Sequence, residues 1–205
     1  MLNHPLESGV SNIIEALRVA TRSRHARLAS LPAMFRLFEA DYGISEYRAH
    51  LGRLLGFFDP LECASAKAAA PQYSEYGLHR SSDLREDLLT MGATAAEIEA
   101  LERCPGLPPI ATPGLRGYTY VILGSMLGGR IIAKRLRDIL GPAASFRFYG
   151  EGTNRYELVW ALFCSDLEKE TYRENDVQAI CATAVGIFDA YAAWLSEPPL
   201  RDRCR

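Results

Sequence analysis

Apolar residues recur at helical spacing along nearly the whole chain, and no stretch alternates polar and apolar residues for long enough to form a sheet. The first helical stretch runs from about Ser11, a suitable N-cap residue, to about Ser30. Its predicted inner face consists of Ile13, Ile14, Leu17, Thr21, His25 and Leu28. The pattern predicts an all-α fold, in the form of a single compact multi-helix domain.

Capping residues, prolines and glycines divide the rest of the chain into further helices. They are expected at about 32–40, 45–70, from Ser81 or Ser82 to 91, 94–103, 113–140, 154–169 and 175–195. Pro60 is expected to kink the helix over 45–70. Residues 104–113 are rich in proline, which predicts a connection rather than a helix.

The composition is that of an ordinary globular protein, with 205 residues, 48% hydrophobic residues and a formal charge of -2. This length fits one domain spanning 1–205, with a core over about 11–195. Nothing in the charge pattern indicates a nucleic-acid partner. Residues 1–9 do not resemble a secretory signal, and charged residues interrupt every apolar stretch, so we expect a cytoplasmic protein without a membrane partner. The five cysteines are widely spaced and form no CxxC pair, which argues against a disulfide framework and a thiolate zinc site.

His25 is the candidate metal ligand. An α-helix advances about 100° per residue, so Arg18 and His25 lie nearly one above the other, and Arg22 lies about 60° from His25. An imidazole that faces an apolar cavity can bind iron axially, and guanidinium groups at its rim can pair with carboxylates. The alternative is a hydrogen-bonded core histidine beside a solvated basic face. No histidine has a companion at the spacing of a zinc or di-iron site.

Three glycines, Gly124, Gly128 and Gly129, interrupt an otherwise strong helical pattern. Each glycine inside a helix costs up to about 1 kcal/mol relative to alanine, so their presence calls for a physical reason. Without side chains at these positions, a flat ligand can lie against the backbone and the helix can bend over it. The alternatives are a break between two helices and a tight crossing of two helices through small residues. The spacing does not match a nucleotide-binding loop.

Two motifs occur in order along the chain. The first reads Leu17-Arg18-x-Ala20-Thr21-Arg22-x-x-His25, and the second reads Leu123-Gly124-Ser125-Met126-Leu127-Gly128-Gly129. Together they resemble the haem oxygenase family, over about 11–195. The serine after the first glycine resembles the bacterial branch, which includes members associated with bacterial phytochromes. The resemblance implies that haem lies between the first helix and a kinked glycine-rich helix.

The resemblance also implies roles for individual residues. His25 would be the proximal iron ligand, while Gly124, Ser125, Gly128 and Gly129 would form the distal helix over the haem. Arg18 and Arg22 match positions that contact the haem propionates, and either Tyr118 or Tyr120 would join them. Arg147 is a further candidate for such a contact. Ser125 stands where some members carry an aspartate, and Ala29 where some carry a glutamate that orients the histidine.

The implied reaction uses haem as both cofactor and substrate, with O2 as co-substrate. An external ferredoxin or reductase would supply electrons, and the products would be biliverdin, with the α isomer favoured, carbon monoxide and ferrous iron. His25, Gly124, Ser125 and Gly128 would be the catalytic positions, and a phytochrome could use the product. The alternatives are a haem-binding protein that stores, transfers or senses haem, and a related helical fold such as the thiaminase-like proteins.

A basic cluster follows the glycines and consists of Arg130, Lys134, Arg135 and Arg137. Such a cluster could attract an acidic ferredoxin. The alternative is an ordinary solvated helix face.

Overall fold

The computed structural model describes residues 12–68, 79–150 and 155–197. Within these ranges the regular structure consists of α-helices and one 3-10 turn, Gly141–Ala143, directly after α6. The helices are α1 (Ile13–Ala29), α2 (Pro32–Arg36), α3 (Ile44–Ala68), α4 (Arg80–Thr90), α5 (Ala95–Glu99), α6 (Leu115–Leu140), α7 (Arg155–Lys169) and α8 (Glu174–Ser196). The prediction of an all-α fold is confirmed.

The first helix begins slightly later than predicted. Its N-cap is Asn12, whose side-chain oxygen accepts a hydrogen bond of 2.9 Å from the backbone N–H of Glu15. This contact supplies a partner for one of the unpaired N–H groups at the helix start. Ser11, the predicted cap, lies outside the described residues.

The chain leaves α5 at Glu99, four residues before the predicted end at Arg103. The cause is a close approach to α3, because the backbone N–H of Cys104 donates a hydrogen bond of 2.8 Å to the carbonyl oxygen of Gly56. A side chain at Gly56 would collide with the carbonyl oxygen of Glu102, only 2.4 Å from an ideal Cβ. α3 itself continues through Pro60 without ending there.

α8 lies at the centre of the packing, since it contacts α1, α2, α3 and α6. By length and composition alone it could cross a membrane, although Asp189 interrupts its apolar sequence as expected. Packing inside the protein also explains the apolar composition of α8. Its buried core residues include Val177, Ile180, Ala184, Ile187 and Trp194.

The loop that follows α6 is held by one buried carboxylate. Asp87 of α4 has no exposed surface and accepts hydrogen bonds from Ser145 Oγ (2.6 Å), from the backbone N–H of Arg147 (2.9 Å) and from that of Phe148 (2.9 Å). Arg80 donates a further hydrogen bond to the carbonyl oxygen of Phe148. A buried carboxylate with this many donors fixes the backbone that supplies them.

Candidate functional site

The buried face of α1 ends one turn before His25. Ile13, Ile14, Leu17 and Thr21 are buried as predicted, but His25 is exposed and Leu28 is only half-buried. The prediction that His25 faces the core is therefore wrong. The residue still lies only about 40° around the helix from Thr21, so it continues the inner face at a point where that face opens to solvent.

His25 has one aromatic neighbour, Phe188 of α8. The two rings meet edge to face, with their centroids 6.0 Å apart. Arg24 and Arg27 lie 3.8 Å and 3.9 Å from the carboxylate of Asp189, which attaches α1 to α8 beside this pair. In the described part of the chain neither nitrogen of His25 makes a hydrogen bond, so both are available to a ligand.

The two predicted propionate contacts remain on the surface of α1. Arg18 lies 4.0 Å from Glu15 and is 59% exposed, which makes a weak ion pair. Arg22 is exposed and forms no ion pair with any other described residue. Burial raises the pKa of the Cys164 thiol, and the positive charge of Arg18 opposes that rise.

Gly124, Gly128 and Gly129 of α6 have three different surroundings. An ideal Cβ at Gly128 would meet nothing within 4 Å. At Gly124 it would touch only the indole of Trp160, at 3.8 Å, which is ordinary van der Waals contact. At Gly129 it would lie 3.2 Å from the carbonyl oxygen of Tyr149. Gly129 is therefore explained by the close approach of the loop after α6, which contains Tyr149. Gly124 and Gly128 lie on a face of α6 that has room for a ligand, and we call it the open face.

The structure distinguishes Tyr118 from Tyr120, the two candidates for a further propionate contact. Tyr118 is buried, its hydroxyl is hydrogen-bonded to Ser65 of α3, and burial raises its pKa to about 12. Tyr120 is half-buried and packs against Trp160, with ring centroids 5.5 Å apart. Because Trp160 also contacts the Gly124 position, Tyr120 lies on the open face and Tyr118 does not.

Ser125 is exposed, and its hydroxyl donates a hydrogen bond of 2.7 Å to the carbonyl oxygen of Ile122. The oxygen of Ser125 can still accept a hydrogen bond from a water or a ligand. A hydroxyl used in this way is a weaker anchor for water than a carboxylate would be.

Arg147 is not brought to the open face. Its side chain pairs with Glu86 of α4 at 3.0 Å, and its backbone is held by Asp87. The basic residues after the glycines are also engaged in part, since Arg130 pairs with Glu157 and Arg135 donates to the carbonyl oxygen of Phe38. Arg137 lies 5.5 Å from the centre of the Phe146 ring.

α7 and α8 join the exposed side of α1 to the open face of α6. Both helices contact α1 and α6, whereas α1 and α6 do not pack extensively on each other within the described residues. Trp160 of α7 lies against the Gly124 position of α6. We use the word groove for the region between α1, which carries His25, Arg18 and Arg22, and α6, which carries Gly124 and Gly128.

The groove suits a flat, anionic, metal-containing ligand. A metal could bind a free nitrogen of His25, carboxylates could pair with Arg18 and Arg22, and the ligand's face could lie against the backbone at Gly128. A cavity of about 260 Å³ lies elsewhere, between α3, α4 and α5, and no predicted site residue lines it. Its lining consists of Ser45, Arg48, Ala49, Leu88, Ala93, Glu97, Ile98 and Leu101.

Comparison with protein-family models matches residues 11–197 to the family described as Heme oxygenase. The chain belongs to the haem oxygenase family. No curated protein matches the chain. Members of the haem oxygenase family bind haem and degrade it, so haem is the substrate that membership implies.

Two aromatic residues of the groove were not predicted as site residues. Trp160 and Phe188 lie on the two helices predicted over 154–169 and 175–195, and the sequence motifs include neither of them. Aromatic residues at inner helical positions are core residues by default, and the sequence carries no signal that separates these two from the others. Their assignment to the groove needs the tertiary contacts with Gly124 and His25.

Proposed function

We propose that this protein is a haem oxygenase that opens the haem ring to biliverdin and releases carbon monoxide and ferrous iron. The observation that carries the proposal is the exposed His25, which makes no hydrogen bond to a described residue, together with the open backbone of α6 at Gly128. The serine-containing glycine motif further supports a place in the bacterial branch, with a phytochrome as a possible user of the product.

When bound, haem supplies the iron at which oxygen is activated and the ring that is oxidised. A neutral nitrogen of His25 would hold the iron from one side, and Phe188 would limit the rotation of the imidazole. Ala29 cannot orient the ring, so a water at the second nitrogen would complete its hydrogen bonding. Arg18 and Arg22 would hold the propionates and thereby fix the position of the ring in the groove.

On the other side, α6 would act through its backbone. Gly124 and Gly128 leave room for a flat ligand, and the oxygen of Ser125 would accept a hydrogen bond from a water held over the ring. Such a water could deliver protons during the reaction. Electrons would come from an external ferredoxin or reductase, and the exposed Lys134 belongs to the surface that would attract an acidic donor.

A second candidate is a haem-binding protein that leaves the ring intact. It is favoured by one observation, the hydrogen bond from Ser125 to the carbonyl oxygen of Ile122. Because that bond uses the only proton of the hydroxyl, Ser125 organises water less strongly than an ionised side chain.

Turnover separates the two candidates. The purified protein is loaded with haem and given a ferredoxin reducing system and oxygen, and the absorption spectrum is followed. Loss of the Soret band, a biliverdin spectrum and trapped carbon monoxide are the expected results. A stable ferrous complex with an unchanged Soret band would contradict the proposal and support the binding protein.

The variant Ser125→Ala tests the distal water directly. We expect it to bind haem with unchanged affinity and to form biliverdin more slowly. A variant that turns over at the wild-type rate would show that the Ser125 hydroxyl has no part in the reaction.

A further inference from the structure

Trp160 of α7 lies at the boundary between the core and the open groove. It is half-buried, and its six-membered ring lies 3.8 Å and 4.0 Å from an ideal Cβ at Gly124. The ring of Tyr120 lies 5.5 Å away on one side, and that of Phe163 lies 6.2 Å away behind it. Tyr120 and Trp160 therefore form a continuous aromatic wall beside the backbone of α6.

α7 also packs against α1, so within the described residues it contacts both α1 and α6. Trp160 therefore lies on a helix that adjoins both helices carrying the predicted haem contacts.

The opposite face of α7 shows that the position of the indole is specific. Leu158 and Leu162 are 63% and 52% exposed, and each lies about 160° around the helix from Trp160. The largest side chain of the helix thus lies beside the groove, and smaller apolar side chains are left in solvent.

We propose that Trp160 contacts the edge of the bound tetrapyrrole and is a specificity-determining residue for the edge that is opened. This inference rests on the proposed haem oxygenase function. The porphyrin core is nearly fourfold symmetric, so rotation in its plane changes the meso carbon that lies beneath α6. Arg18 and Arg22 hold the propionate side, and a rigid aromatic wall excludes rotated placements by steric contact. Removing the indole opens space in which a rotated ring can be accommodated.

The first test uses the wild-type chain and gallium protoporphyrin IX, a diamagnetic analogue of haem that does not turn over. The chain has two tryptophans, so its nitrogen-15 spectrum has two indole N–H signals, which the variants Trp160→Phe and Trp194→Phe assign. Trp194 is the internal reference because it is buried against α3, where its Nε1–H donates a hydrogen bond of 2.8 Å to the carbonyl oxygen of Arg53.

The expected result is a large ring-current shift of the Trp160 signal and a small one of the Trp194 signal as the porphyrin saturates the protein. If the Soret titration shows binding and the Trp160 signal does not move, Trp160 does not contact the ligand and the inference fails while haem binding stands. If the protein does not bind the porphyrin at all, the proposed function fails as well.

The second test compares the products of Trp160→Ala and Leu158→Ala, a matched truncation on the exposed face of the same helix. We expect Trp160→Ala to give a mixture of biliverdin isomers and Leu158→Ala to give the wild-type isomer, as measured by chromatography. A Trp160→Ala protein that binds haem and gives only the wild-type isomer would overturn the specificity role.

Discussion

The glycines at the start of α6 and those in its middle have opposite surroundings. An ideal Cβ at Gly117 would lie 2.1 Å from the carbonyl oxygen of Ile180, and one at Gly114, the N-cap residue, would lie 2.2 Å from Thr183 Oγ1. At Gly128 it would meet nothing within 4 Å. Glycine thus serves two purposes along this segment, since Gly114 and Gly117 let α8 approach, whereas Gly124 and Gly128 leave a surface open to a ligand.

The largest effect is expected for Gly117→Ala. The colliding atoms belong to the backbone of α8, so α6 and α8 would have to move apart, and we expect a loss of about 3 kcal/mol in the free energy of unfolding. Urea unfolding followed by circular dichroism measures this loss. A Gly117→Ala protein as stable as the wild type would show that Gly117 is not needed for the close approach of α6 and α8.

The two helical histidines repeat the contrast between packed and open regions. His50 of α3 is buried, its Nε2 shares a hydrogen bond of 2.6 Å with the hydroxyl of Tyr149, and burial lowers its pKa to about 4. His25 is exposed and has no hydrogen bond to a described residue. A buried, hydrogen-bonded histidine serves the fold, whereas a metal ligand has to keep one nitrogen free.

His50 makes the stability depend on pH. Its folded pKa of about 4 is below the value of 6.5 for an unperturbed histidine, so the unfolded chain takes up the proton first as the pH falls. Stability is complete above about pH 6.5 and decreases toward pH 4, by roughly 3 kcal/mol in all. Urea unfolding of wild type and His50→Phe at several pH values measures the effect. Equal pH dependence in the two proteins would show that His50 does not titrate in this way.

Much of the fold follows from local patterns, but most of the site does not. The apolar stripe of α1 was predicted correctly through Thr21, because burial on a helix follows the helical period. The same rule failed at His25, because the contact with Phe188 of α8 leaves that end of the stripe exposed among the described residues. The helical repeat of apolar residues cannot show where the helix that covers them ends. For the same reason α5 was predicted to reach Arg103, although contact with Gly56 ends it at Glu99.

The glycine motif located the correct helix but not the role of each residue in it. Gly129 lies against the loop at Tyr149, and Tyr118 lies against Ser65, which only the positions of distant segments reveal. The aromatic wall of Trp160 was missed because an inner tryptophan in a groove and one in the core have the same pattern in the sequence.

A smaller effect, a loss of haem affinity, is expected when Arg18 or Arg22 is replaced. Because Arg18 and Arg22 are exposed, each Arg→Ala change is expected to weaken haem binding by about 1 kcal/mol, or about fivefold, without changing stability. The loss should shrink at high salt because the charges are screened. Soret titrations measure the affinity, and Lys169→Ala, an exposed cation paired with Asp166 at 2.9 Å, is the control. An equal loss in the control would show a general charge effect rather than a propionate contact.

A small gain in stability is expected for Gly128→Ala. Its Cβ would meet no atom within 4 Å, so the protein without haem should gain up to about 1 kcal/mol from the better helix former. Haem affinity should fall, because the new methyl group occupies the face on which the ring lies. A variant with unchanged haem affinity would show that the open face at Gly128 is not the ligand surface.

The most direct test of the account is the spectrum of the haem complex with and without His25. We predict that wild type and His79→Ala, a control at an exposed histidine, give the spectrum of histidine-ligated haem. The His25→Ala complex should lack this spectrum, and added imidazole should restore it. A His25→Ala protein whose haem spectrum is identical to that of the wild type would contradict the assignment of His25 as the iron ligand.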